Sequence, residues 1–210
     1  MRQKLLSLFI LLILGFVGLE GRGQVSMSTT GSVSQDFNTL ISSGTGTWTN
    51  NSTISNWYAQ KGSSVGNVSI KADDGSTTNG GLYSYGNNST DRALGSLVSN
   101  STGAFAYGIQ LKNASTSIIT SLKISYKFEQ WRNGGNTTTQ YLKFYYKKSN
   151  SEISDLNPDV NTDWIAVSDL NGTTLINTSG AAKLDGNLSA NSTLYSNIES
   201  PLKSQKLIFE

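Results

Sequence analysis

The 210-residue sequence predicts an all-β fold: a two-sheet antiparallel β-sandwich, jelly-roll-like. Three observations carry that expectation. Short apolar/polar alternations recur at roughly eight to twelve residue spacing. The stretches between them are built from Ser, Thr, Asn and Gly, with 21 Gly against only 2 Pro. No window has helical periodicity, although residues 153–156 allow one turn.

In chain order, residues 1–23 read as an export signal. Arg2 and Lys4 give a positive start, residues 5–17 (LLSLFILLILGFV) form an apolar run short for a bilayer, and Gly21-Arg22-Gly23 places small residues at the cleavage positions. Residues 24–34 read as a Ser/Thr/Gly linker. A single β-sandwich domain is expected over residues 35–210, opening with inward-pointing Phe37 and Leu40 or Ile41. Residues 45–55 read as a loop holding Trp48. Strands are expected around residues 56–59, 68–72, 80–86, 91–97 and 105–111, where Leu82 and Ser84 take one face and Tyr83 and Tyr85 the other. Later elements are expected at residues 164–167, weakly at 170–176, and at 206–209.

The most regular pattern lies between residues 119 and 148. Leu122, Ile124, Tyr126 and Phe128 alternate with Lys123, Ser125, Lys127 and Glu129, and Leu142, Phe144 and Tyr146 alternate with Tyr141, Lys143, Tyr145 and Lys147. The tip Asn133-Gly134-Gly135-Asn136 supplies residues that tolerate positive φ. These features predict a long hairpin with 128 opposite 142, 126 opposite 144 and 124 opposite 146.

Composition narrows function. A formal charge of +2, with no long run of Lys or Arg, points away from nucleic acid, and no second apolar segment points away from a membrane after signal cleavage. The chain has no Cys and no His, which removes thiol nucleophiles, disulfides, imidazole bases and thiolate or imidazole zinc sites. No cofactor is implied, with oxygen-ligated calcium as the metal to consider and Asp73 and Asp74 as its weak candidates. Asp-Gly is first of all a turn signal, however, and no EF-hand spacing is present. A secreted or cell-surface product follows from the export signal.

The stretches FNTL (37–40), NWYA (56–59), GGLYSYG (80–86), DRALGSL (91–97) and LDGNLSAN (184–191) occur in an order and spacing that resemble a secreted jelly-roll-like β-sandwich module. That module is found in bacterial exported multidomain proteins, often with a type IX secretion sorting domain. The resemblance covers about residues 35–210 and implies fold and location rather than chemistry. In the family an apolar strand, an Asn/Asp-rich loop and a closing acidic strand follow the LDGN stretch, whereas residues 206–210 match only the start of that run. Either a truncated reading frame or a short natural variant is expected, with an unpaired apolar-lined edge as the consequence.

Site candidates come from exposed aromatic rings, on which the apolar face of a sugar packs. Trp57, Tyr83, Tyr85, Trp131, Tyr141 and Tyr145 are the ligand-binding candidates, with core and rim packing as the alternative for each. Interleaved Lys and Tyr on the outer hairpin face offer a second surface for anionic polysaccharide, or simply a soluble sheet. Asp91-Arg92 reads as an ion pair pinning a turn. Glu129 and Asp185 are the only carboxylates worth pairing as a glycosidase couple. The expected function is a non-catalytic exported module that binds extracellular polysaccharide or surface matrix, or presents a larger protein at the cell surface. The alternatives are an accessory domain or fragment of a carbohydrate-active hydrolase, and a structural spacer.

Overall fold

The computed structural model describes residues 23–87, 90–151 and 153–202. The expected export signal, Gly23 apart, and the expected strand at residues 206–209 lie outside the described residues. Within them the regular structure is β, with short 3-10 turns at Ser168–Leu170 and Ser189–Asn191 and no α-helix. No helix among them is long and apolar enough to cross a membrane.

The first half of the chain supplies β1 (Val25–Met27), β2 (Thr45–Trp48), β3 (Trp57–Lys61), β4 (Ser64–Val65), β5 (Val68–Asp73), β6 (Gly81–Tyr85), β7 (Ala93–Leu97), β8 (Phe105–Ile109) and β9 (Leu111–Asn113). A four-stranded sheet runs β2-β5-β6-β7 and a three-stranded sheet runs β4-β3-β8. Alternation aims Trp48, Val68, Ile70, Leu82 and Leu94 from the first sheet, and Trp57, Ala59, Phe105 and Tyr107 from the second, into one apolar cluster. Leu40 and Ile54 close it from the loops. Trp48 is fully buried, and its strand replaces the loop expected at that position. The polar Thr45-Gly46-Thr47 run hides the strand in the sequence, but its backbone pairs with β5 all the same.

Both outer faces of this pair are covered too. On the three-stranded sheet Tyr58 donates to the Gly23 carbonyl at 2.7 Å. Beside it the buried Gln60 side chain donates to Asp155 Oδ1 at 2.8 Å and accepts from the Leu156 N–H at 2.7 Å. On the four-stranded sheet Tyr83 and Tyr85 pack with Trp131. Two ladders are parallel, which corrects the all-antiparallel expectation: β1 beside β9, and β5 beside β6. The β5–β6 return is made by residues 74–80, held by Asp73, whose carboxylate oxygens accept from Gly75 N–H at 2.8 Å and Thr77 N–H at 3.3 Å. Gly75 sits at φ 89°, and a Cβ there would collide with the Trp131 carbonyl oxygen.

The second half supplies β10 (Ser121–Glu129), β11 (Arg132–Asn133), β12 (Tyr141–Leu142), β13 (Tyr145–Tyr146), β14 (Ile165–Ala166), β15 (Gly172–Thr173), β16 (Ala182–Lys183) and β17 (Ser192–Pro201). The alternation in β10 is present: Leu122, Ile124, Tyr126 and Phe128 are half-buried while Lys123, Ser125 and Lys127 are exposed. Its partner is not the expected second arm. β10 pairs antiparallel with β17, Tyr126 opposite Tyr195 and Phe128 opposite Thr193. The residues expected to face it pair with later segments instead, Tyr141–Leu142 with Gly172–Thr173 and Tyr145–Tyr146 with Ile165–Ala166. The Asn-Gly-Gly-Asn stretch leads out of β11, which pairs with Ala182–Lys183.

Side-chain chemistry accounts for the exchange. Tyr126 and Tyr195 stack at 4.8 Å with rings 3° apart, and their hydroxyls donate to the consecutive carbonyls of Leu170 (2.6 Å) and Asn171 (2.7 Å). A period of two identifies a strand but not its neighbour. β17 escapes notice because a bulge shifts its phase: Ile124 faces Ile198, yet Tyr126 faces Tyr195. Asn197 occupies the extra position at φ 53°, its N–H donating to Ser125 Oγ at 2.8 Å.

Candidate functional site

Strand β6 starts late beside β5. The first residue pair between them is Ile70 with Leu82, so Val68 and Ser69 have β2 on one side and no β6 residue on the other. At this notch a groove of about 380 Å³ opens, within the rough 300–1,000 Å³ range of ligand sites. Its walls come from both sheets.

Lys61 and Ser64 arrive from the β3–β4 hairpin, whose two-residue turn is closed by Gly62 at φ 54°. Phe105 stands opposite Lys61 across the β3–β8 ladder. Gly66 at φ 67° and Asn67 at φ 49° then let the chain step from one sheet to the other, delivering Asn67, Ser69 and Lys71 to the opposite wall. Gly80 and Gly81 leave bare main chain at the entrance of β6. A Cβ on Gly80 would run into the Thr102 side chain. Val68 and Leu82 give the floor its apolar character.

The groove's charge is one-signed. No Asp or Glu is among the described residues that line it. Lys61 and Lys71 are exposed and form no ion pair or side-chain hydrogen bond with the described residues. Two lysines, two serines, one asparagine and the half-buried Phe105 therefore line one space of ligand size.

The aromatic candidates divide differently from the expected platform. Tyr83, Tyr85 and Trp131 are buried, and Tyr85 lies 5.8 Å from Trp131 with rings 8° apart. Two of their polar atoms are engaged: Tyr83 donates to the Asn79 carbonyl at 2.6 Å and the Trp131 indole to Glu129 Oε2 at 3.0 Å. Burial pushes both phenols above the ordinary Tyr value. These three rings join the two halves of the chain and present no free face. Trp57 packs edge-on to Phe37 at 4.8 Å on the rim of the apolar cluster. Tyr141 is 58% exposed and Tyr145 half-buried, each on a two-residue ladder. They are remote in topology from the buried trio.

The carboxylate candidates have partners. Asp73 holds the loop backbone as above. Asp74 pairs with Lys183 at 2.5 Å, and that ammonium first, with Ser76 next, pulls its carboxyl down to about 2. Among the described residues no three His, Cys, Asp or Glu side chains gather as a metal site would require. Glu129 bonds the Trp131 indole and pairs with Lys127 at 2.9 Å. Asp185 accepts from Asn87 at 3.2 Å and caps its own turn through the Asn187 N–H at 3.1 Å. Arg92 is buried and donates from Nε to Ser84 Oγ at 2.9 Å and from Nη2 to the Ser84 carbonyl, so it ties β6 to β7.

Sequence reading missed the groove. Its one signal is the recurrence of Lys at the end of β3 and again on the polar face of β5, and that signal acquires meaning only when the two sheets are stacked. No family model, no curated protein and no solved structure matches the chain.

Proposed function

We propose that the chain is an exported, non-catalytic β-sandwich module, jelly-roll-like in topology, that binds extracellular glycan. The observation that carries the reading is the groove at the β5–β6 notch. It combines hydroxyl, amide and ammonium groups with one aromatic ring, a mixture suited to a polyhydroxylated ligand. The chain lacks His and no carboxylate is among the described lining residues, so the groove does not offer the paired acids by which glycosidases cleave sugars. Binding without turnover is the chemistry such a wall supports. The resemblance of residues 37–40, 56–59, 80–86, 91–97 and 184–191 to exported modules supports the export and the sandwich topology of this reading. A spacer role would leave the groove unexplained.

The test is a binding screen of the full chain against soluble polysaccharides by affinity electrophoresis and calorimetry, repeated with Ser69→Tyr. Ser69 is exposed on a groove wall, so the substitution fills the site without touching the core. Saturable binding that Ser69→Tyr abolishes, with no release of reducing ends, is the expected result. Binding unaffected by Ser69→Tyr, or glycan cleavage, overturns the reading.

A further inference from the structure

We infer that the groove selects an anionic glycan, one that carries carboxylates along its chain as a polyuronate does; this rests on the glycan-binding reading above. Lys61 and Lys71 enter from different sheets, on β3 and β5, so their positions relative to each other are fixed by the stacking of the two sheets rather than by one mobile loop. Neither has a carboxylate partner among the described residues. Of the other described cationic side chains, Lys127 is paired with Glu129, Lys147 with Asp163, Lys183 with Asp74, Arg92 bonds Ser84 and Arg132 the Gly75 carbonyl, while Lys112, Lys123, Lys143 and Lys148 share the lack of an ion pair but do not line the groove. The groove is thus lined by two lysines with no ion pair among the described residues and by no acid, and in such a one-signed concavity the field on an anion is focused.

The rest of the wall argues for a sugar polymer over a nucleic acid. Single strands are held by successive aromatic platforms along a basic track. Here the lining offers one ring, Phe105, while Tyr83, Tyr85 and Trp131 are buried elsewhere. Ser64, Asn67 and Ser69 instead provide hydroxyl and amide partners for ring hydroxyls. The net charge of +2 is also too small for a polyphosphate track.

Three ligands decide it: a linear oligouronate, the same oligomer with its carboxyls reduced to alcohols, and a single-stranded oligonucleotide of equal charge. They are titrated into the full chain at low and physiological salt, alongside Lys61→Gln, Lys71→Gln and the double variant. Both lysines are exposed, so unchanged thermal unfolding is expected for every variant. The oligouronate should bind at least about tenfold tighter than its reduced form, weaken with salt, and lose that preference in the double variant. Equal binding of the acidic and reduced oligomers, unchanged in Lys61→Gln/Lys71→Gln, overturns the anionic selectivity and leaves the glycan module standing. Failure of both oligomers removes both readings. Preferential binding of the oligonucleotide overturns the inference in favour of a phosphate polymer.

Discussion

Strands β2 to β8 place apolar rows between two sheets, whereas the chain from β10 onward is held together largely by buried amide side chains. Past residue 113, Trp131 and Leu170 are the only buried apolar residues among those described. In their place Gln130 accepts from the N–H groups of Leu175 (2.7 Å) and Ile176 (2.8 Å) and donates to the Ile176 carbonyl at 2.8 Å. Asn133 donates to the carbonyls of Thr178 and Gly180, both at 2.9 Å, and Asn191 to that of Asp185 at 2.8 Å. The first half owes its order to a non-directional force summed over area, the second to a few directional contacts that each satisfy several main-chain groups. Removing one contact should consequently be felt across the first half and locally in the second.

Trp48→Ala is the strongest way to break that contrast. It empties the centre of the apolar cluster, and a loss of about 3–5 kcal/mol is expected in a denaturant titration, with the whole chain unfolding together. A smaller loss confined to one sheet would show that the two sheets do not form one cooperative unit. Gln130→Ala should cost about 1–3 kcal/mol by stranding the Leu175 and Ile176 amides. Hydrogen exchange should rise first at residues 174–178 and leave β2–β8 protected; uniform acceleration would erase the distinction between the halves.

Gly75→Ala probes the seam. Positive φ and the nearby Trp131 carbonyl should make it cost more than about 1 kcal/mol, read as a lowered melting temperature with loss of Trp131 burial by fluorescence. Wild-type stability and intact quenching would show that the crossover loop is not clamped by the second half. Asp74→Asn is expected to have the smallest effect, under about 1 kcal/mol at neutral pH because both partners are well exposed. The folded Asp74 carboxyl is depressed from 3.8 to about 2. Its contribution is therefore present above the ordinary Asp value and vanishes as pH falls through about 2. The gap in melting temperature between wild type and Asp74→Asn should close on acidification over that window, and a gap independent of pH would remove the Lys183 pair from the account.

What the sequence disclosed follows the same divide. Val68–Asp73, Gly81–Tyr85 and Phe105–Ile109 were legible because their alternation continues without interruption and each is bounded by turn residues. Phe37 and Leu40 or Ile41 were legible as inward residues, and all three lie on the apolar cluster. The partner of β10 was not legible. Pairing is a tertiary choice, made here by the Tyr126–Tyr195 stack, and the Asn197 bulge interrupts the only local cue in β17. The aromatic candidates misdirected for a related reason: burial depends on what covers a face, and Trp131 comes from a part of the chain that no spacing rule connects to Tyr83 and Tyr85. The lysines of the groove lie on strands of different sheets, so their convergence is likewise invisible in one dimension.

The amide contacts of Gln60, Gln130 and Asn133 have an evolutionary corollary. Apart from Asp155 Oδ1 and Thr178 Oγ1, the groups they hold are peptide groups, which nearly every residue type offers alike. The loops they grip can thus drift in side-chain identity with little effect on folding, provided proline does not remove the N–H required at Leu156, Leu175 or Ile176. In a saturation scan, intolerance should collect at three inconspicuous polar positions while the loops they grip accept most side chains. Descendants of this chain would diverge fastest where they are longest and still close on the same frame.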